Sequence, residues 1–265
     1  MQIHIKEVLL KIEQEYDVKI LYACESGSRA WGFPSKDSDY DVRFIYVHKL
    51  DWYLSIDQKR DVLEVPKHDT ISIPVHELID ASGWELTKAL KLFRKSNPPL
   101  LEWLNSSIVY HEAFTTVDKM KDIATEIFSP VSSVHHYLNM AKGNYRDYLK
   151  GSEVKIKKYF YILRPILASG WVEKYNSFPP MLFQTLVEDL IPTGSLLKKE
   201  IMTLLERKMA GDELDFEPRI DCIHQFVHDE LERLEAFAKG LRVEVKDPTR
   251  KLDQLFRDTL IEVWS

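Results

Sequence analysis

Asp39 and Asp41 stand one residue apart in Ser38-Asp39-Tyr40-Asp41, just ahead of the apolar run that ends at Val47. At the start of a strand the two carboxylates would share one face, because strand side chains alternate with a period of two. Adjacent acids repel unless a cation lies between them. Hard carboxylate oxygens of this kind suit Mg²⁺, with Mn²⁺ as the alternative, and such ions also bridge substrate phosphates. Two of them can stabilise both the attacking and the leaving oxygen of an in-line displacement at phosphorus. An isolated Asp-x-Asp is more often a surface turn than a metal site.

The stretch just upstream strengthens the pattern. Gly27-Ser28 follows an apolar segment, where turn amides and the Ser28 hydroxyl can cradle a triphosphate. Glycine at position 27 allows close backbone approach and unusual dihedrals. Arg29 follows that turn and Arg43 follows the acids; each is a candidate for phosphate oxygens, and each has a plainer reading. Arg43 would then pair with a neighbouring acid, and Arg29 would be solvated.

The surrounding pattern supplies elements to hold these residues. Helical spacing predicts a helix over 3–16, and the apolar runs predict strands at 18–24 and 41–47. Weaker strand patterns cover 62–65 and 70–79, the latter bent by Pro74. Ser82-Gly83-Trp84-Glu85 reads as a capping box opening a helix to Lys95, and Leu100 to Leu104 reads as a short helix. Beyond residue 112 the spacing predicts helices only, at 115–128, 131–150, 153–169, 181–190, 196–209, 220–240 and 248–264. The expectation is an α+β fold: a small mixed-sheet catalytic domain over 1–112, then a mostly helical accessory or substrate-binding domain over 113–265.

Composition narrows the function classes. With 36 Lys and Arg against 42 Asp and Glu, the net charge of -6 argues against coating nucleic acid through bulk positive charge. The amino terminus does not read as a signal peptide, and no uncharged run approaches a bilayer span. A cytoplasmic protein is expected, with Cys24 and Cys222 reduced.

Gly27-Ser28 followed by Ser38-Asp39-Tyr40-Asp41 resembles the signature of the DNA polymerase beta nucleotidyltransferase superfamily. Within it, GSRAWGF, SDYDVRFIY, DASGWELTKALKL, SNPPLLEWL and KKYFYILRP together resemble the bacterial RlaP-type nucleotidyltransferases associated with RNA repair. The resemblance covers most of the chain. It implies a small mixed sheet flanked by helices, divalent metal, and a nucleoside triphosphate donor such as ATP. Nucleoside monophosphate would pass to an acceptor hydroxyl, an RNA end being one candidate, with release of pyrophosphate. It also implies a third carboxylate that assists the acceptor hydroxyl as base or metal ligand. Asp80, ahead of the expected helix, is the choice, with Glu77 and Glu64 as rivals; an Asp there also suits the helix dipole.

By the same resemblance Lys88 is a phosphate candidate, while Lys91 reads as solvated. In the helical half, Lys158 and Arg164 are cleft candidates beside Tyr161, since cations next to an aromatic suit a nucleobase and its phosphates. Phe160, Leu163, Trp84, Trp103 and Trp171 read as packing. Three other patterns lead nowhere. Gly27 and Gly32 have P-loop spacing, but Phe33-Pro34 replaces the Lys and Ser/Thr. Arg219 and His224 have a spacing seen in RNA-cleaving helical domains, with Ile220 where a polar residue is usual. His135-His136 lacks a zinc-site frame. Two other classes of function remain: a nucleotide-binding sensor with a degenerate site, and a helical interaction protein.

Overall fold

The structure, a computed structural model, describes residues 1–149, 151, 153–212, 216–242 and 247–265. Five strands form one mixed sheet: β1 (Val18–Glu25), β2 (Tyr40–His48), β3 (Val62–Val65), β4 (Ile79–Glu85) and β5 (Val109–Glu112). Their order is β3-β4-β2-β1-β5. β2 and β4 run parallel, and every other neighbouring pair in this sheet is antiparallel. The first three strands lie where the apolar runs predict them.

Helix α1 (Gln2–Tyr16) buries Ile5, Val8, Leu9 and Ile12, one stripe at helical spacing. That stripe shares a core with Val42, Phe44 and Tyr46 of β2 and with Ile79 and Ala81 of β4. Strand alternation then sends Asp41 and Arg43 of β2, and Asp80 of β4, to the opposite face. On that face Tyr22 donates from its hydroxyl to the Trp103 carbonyl at 2.9 Å, and the Trp84 and Trp103 rings lie 3.9 Å apart. Both tryptophans are packing residues, as expected.

Two expectations around β4 are corrected. Ser82-Gly83-Trp84-Glu85 is not a capping box but the second half of β4, in which Ile79, Ala81, Gly83 and Glu85 alternate as the buried face. Pairing with β2 on one side and β3 on the other outweighs the local capping signal. The segment 70–79 is not a strand except at its last residue; Ile71, Ile73 and Val75 only pack against the core.

Four further helices follow in this part of the chain: α2 (Gly27–Ala30), α3 (Leu50–Tyr53), α4 (Leu86–Arg94) and α5 (Pro98–Leu104), and after β5 comes α6 (Thr116–Ile127). Glu85 is the true cap of α4, its carboxylate accepting from the Thr87 amide at 2.8 Å and the Lys88 amide at 3.4 Å.

The later helices are α7 (Pro130–Tyr148), α8 (Phe160–Tyr175), α9 (Phe183–Leu190), α10 (Leu196–Ala210), α11 (Asp221–Gly240) and α12 (Thr249–Trp264). Position 150, the end of the helix expected over 131–150, lies outside the described residues. The helix expected over 153–169 begins instead as strand β6 (Glu153–Lys155), paired with β7 (Phe216–Pro218), followed by a 3₁₀ turn (Ile156–Tyr159). Strands of three residues are too short to leave a periodic signal.

The chain forms two compact units. The first takes Met1–Ala30 and Ser38–Ile127 together with α12, whose buried Thr259 hydroxyl meets that of Thr116 in α6 at 2.8 Å. The second takes Trp31–Asp37 with helices α7 to α11, and there Phe33 is buried against Phe160 and Phe183. Helices α6 and α12 belong to the unit that contains the sheet. The architecture is α+β, a mixed sheet with helices followed by a largely helical part. Among the described residues no helix is long and apolar enough to cross a membrane.

Candidate functional site

Asp41 and Asp80 are Cα partners in the parallel β2–β4 pair. Adjacent strands lie about 4.8 Å apart, so side chains at paired positions on one face are neighbours. Arg43 Nη2 donates to Asp41 Oδ1 at 2.8 Å and to Asp80 Oδ2 at 2.9 Å. Its Nη1 donates to the Asp80 carbonyl at 2.8 Å, which fixes the guanidinium on the sheet. Arg43 thus takes the plainer of its two readings, pairing with acids on either side. Burial pushes the Asp41 carboxyl above its ordinary range; Arg43 opposes this, and Asp80 and Asp39 add to it. Asp41 therefore feels both other acids, with one half-buried guanidinium between it and Asp80.

The glycine bend lies against the same carboxylate. Gly27 opens α2 with φ at +59°, and a Cβ built there would fall 2.1 Å from Asp41 Oδ2. Only glycine satisfies both the left-handed backbone and that approach. Ser28 is largely buried beside it. Arg29 is not simply solvated: it stacks 3.7 Å over the Tyr40 ring, and its Nη2 and Nε donate to the carbonyls of Ser38 and Asp39 at 2.7 and 3.0 Å. It ties down the backbone that enters β2. Asp39 itself precedes β2 and is exposed, so the strand pleat does not set the two acids on one face as the spacing predicts.

One residue of this site is not singled out by the sequence. Glu25, the last residue of β1, is wholly buried. Its Oε1 accepts the Asp41 amide at 2.7 Å, its Oε2 accepts the Tyr110 hydroxyl, and its carbonyl accepts the Ser106 hydroxyl at 2.7 Å. Burial pushes its carboxyl up to about 7 against the hydrogen bonds from Tyr110 and Asp41. The one local signal is an acid closing an otherwise apolar strand, two residues ahead of the glycine.

The remaining candidates have other partners. Lys88 sits beyond the far end of β4, five strand residues from Asp80 to Glu85, or about 16 Å at roughly 3.3 Å per residue. Its ammonium pairs with Asp61 at 2.9 Å. Glu64 bonds to Arg60 at 3.3 Å, and Glu77 is exposed outside the sheet. Lys158 and Arg164 belong to the second unit. Lys158 lies 4.1 Å over the Tyr148 ring and 5.2 Å from that of Tyr161. Arg164 is wholly buried, its guanidinium 4.3 Å over the Trp31 ring.

Comparison with known proteins places the chain in a family. A "RlaP: RNA repair pathway DNA polymerase beta family" model matches residues 1–258. The Bacillus subtilis (strain 168) protein named "Uncharacterized protein YcgL" is 58% identical over 264 residues, which is 100% of this chain and 98% of that protein. Among solved structures, a nucleotidyltransferase-like protein from Exiguobacterium sibiricum 255-15 aligns over 98% of this chain and 81% of its own, at 11% identity and a TM-score of 0.33. By the match over nearly its whole length, the chain belongs to the RlaP family, the RNA repair pathway DNA polymerase beta family.

Proposed function

We propose that this protein is a metal-dependent nucleotidyltransferase that moves a nucleoside monophosphate from a nucleoside triphosphate to an acceptor hydroxyl, releasing pyrophosphate. The observation that carries the reading is the convergence of Asp41, Asp80 and Arg43 on one sheet face, with Asp41 Oδ2 against Gly27. The family's RNA repair description supports RNA as one acceptor class, an RNA end being the candidate.

The donor chemistry fits a hard divalent cation. Asp39, Asp41 and Asp80 offer carboxylate oxygens, and Asp41 is coupled to both of the others, which favours a cation among them. Among the described residues no group of three or more His, Cys, Asp or Glu stands ready to hold a metal. Mg²⁺ is usually held by one or two carboxylates with substrate phosphates and water completing the shell. Asp39 and Asp41 would hold it, with Asp80 at the side, and it would supply charge neutralisation at the phosphates.

The chain's own residues do the rest. The absent Cβ at Gly27 leaves room for the Asp41 carboxylate, and the turn amides with the Ser28 hydroxyl would meet phosphate oxygens. Arg29 holds the Ser38–Asp39 backbone in place, and Arg43 keeps Asp41 and Asp80 in register. Asp80, the more exposed of that pair, accepts the proton of the acceptor hydroxyl as its oxygen attacks the α-phosphorus and pyrophosphate leaves. Catalysis is then positioning plus electrostatic complementarity.

The test incubates the protein with each labelled triphosphate, Mg²⁺ and a panel of RNA ends, reading products by mass spectrometry. Nucleotide addition that disappears in Asp39→Asn and Asp41→Asn is the expected result. Calorimetric binding of triphosphate with no product from any acceptor would overturn it in favour of a sensor.

A further inference from the structure

We infer that Glu25 is a positioning residue for Asp41, acting through the Asp41 peptide and not on substrate; the inference rests on the role given to Asp41 above. Backbone amides in β2 alternate in direction. The Tyr40 amide donates toward the β4 side, to the Leu78 carbonyl at 2.6 Å, so the next amide, that of Asp41, faces β1. There the ladder has run out: β1 ends at Glu25, opposite Val42, and the chain bends away at Gly27. The Glu25 carboxylate takes the place of the missing backbone acceptor, with its Oε1 2.7 Å from the Asp41 nitrogen. The following residue completes the grip, the Ser26 amide donating to the Asp41 carbonyl at 2.9 Å.

Both edges of the Asp41 peptide are thereby held by two consecutive residues of β1 and its turn. Glu25 in turn is fixed by the Tyr110 hydroxyl on its other oxygen, by Ser106 on its carbonyl, and by its own amide, which donates to the Ile108 carbonyl at 2.9 Å. A wholly buried acid is a costly way to satisfy one amide, since a neutral side chain accepts the same bond with far less desolvation. What the carboxylate adds, in its ionised form, is a stronger, charge-assisted bond. It falls on the one residue whose Oδ1 must meet Arg43 while Oδ2 lies against Gly27. A shift of about 1 Å in a positioned reacting group can cost about 100-fold in rate.

The experiment compares Glu25→Gln, Glu25→Leu and Tyr110→Phe by two readouts: amide hydrogen exchange at Asp41 by NMR, and steady-state kinetics against triphosphate and Mg²⁺. Glu25→Gln keeps an acceptor for the Asp41 amide and is expected to retain protection there and kcat within about ten-fold of wild type. Glu25→Leu removes the acceptor: exchange at Asp41 is expected to rise at least about ten-fold over that of Val47 in the same strand. Its kcat is expected to fall about 100-fold, with KM for triphosphate within about two-fold. If the leucine variant fails to fold, Tyr110→Phe loosens the same carboxylate from its other end and is expected to raise Asp41 exchange several-fold over that of Val47. Asp41 exchange that follows Val47 in a folded Glu25→Leu or Tyr110→Phe variant overturns the inference, as does loss of Asp41 protection in Glu25→Gln. Absence of turnover in the wild-type protein would sink the nucleotidyltransferase reading instead. The exchange comparison would still decide whether Glu25 holds Asp41.

Discussion

Asp41 and Asp80, 39 residues apart in sequence, meet as partners in adjacent parallel strands and share one nitrogen of Arg43. On the function proposed above, this pairing favours Asp80 over its rivals. Glu64 is engaged with Arg60 on β3, and Glu77 lies outside the sheet. Asp80→Asn keeps the shape and an acceptor for Arg43 but cannot take a proton. It is expected to lower kcat by roughly 10²–10⁴-fold with little change in KM for triphosphate. Glu64→Gln and Glu77→Gln should leave kcat within a few-fold. Steady-state kinetics on the four proteins decide it, and a Glu64→Gln loss as large as that of Asp80→Asn would reassign the base.

Arg43 is itself a counter-cation for the acids, so its removal should make the protein lean on an added one. Arg43→Gln leaves Asp41 and Asp80 facing each other without the guanidinium. A hydrogen bond to a charged group is worth about 1.5–3 kcal/mol. A chain of this size loses roughly 2–4 °C per kcal/mol, so a fall of several degrees is expected in chelator. Millimolar Mg²⁺ should raise the melting temperature of the variant by more than it raises that of the wild type. Equal Mg²⁺ shifts in the two proteins would mean that the acids do not compete for one cation position.

Gly27 combines two constraints that a matched control separates. Gly194 has φ at +79° and open space around the position its Cβ would take, with no atom within 4 Å, whereas at Gly27 the added Cβ meets Asp41 Oδ2 at 2.1 Å. Alanine at either position costs about 1–2 kcal/mol for the left-handed backbone. Only Gly27→Ala must also push the Asp41 carboxylate aside. Both variants should therefore melt a few degrees early, but turnover should fall about 100-fold in Gly27→Ala alone. Thermal melts alongside kinetics make the comparison, and equal activity in the two variants would remove Gly27 from the site.

The legibility of this protein follows the range of the forces involved. β1, β2 and β3 are readable because their apolar runs are local, and the Gly27, Asp39 and Asp41 spacing is readable because the motif is compact. β4 is not, because Ser82-x-x-Glu85 imitates a helix start, and only pairing with β2 and β3 makes the segment a strand. The imitation also misplaces Asp80: the sequence puts it at the end of a strand, while it stands near the beginning of one, level with Asp41. Glu25 is not legible because its burial depends on Tyr110 and Ser106, more than 80 residues away in the chain. The stacking of the buried Arg164 guanidinium on Trp31 is not legible either, because it leaves no mark on helical periodicity.

The far end of β2 gives a pH test independent of the acids. His48 stacks on Trp52 of α3 at 4.1 Å with the rings 6° from parallel. Burial lowers its imidazole to about 4 from the ordinary 6.5; Lys59 acts in the same direction and Asp17 weakly against it. The unfolded chain thus takes up this proton near pH 6.5, while the folded protein resists it until about pH 4. Between those values the unfolded state binds more protons, so the His48 contribution to stability is intact above pH 6.5 and is lost as pH falls toward 4. His48→Gln cannot titrate and should show a shallower loss of urea midpoint between pH 7 and pH 4.5 than wild type, the two curves running parallel above pH 7. Identical slopes across the acid range would show that the imidazole is protonated in the fold as readily as in the unfolded chain, and that its stack on Trp52 does not exclude the charge.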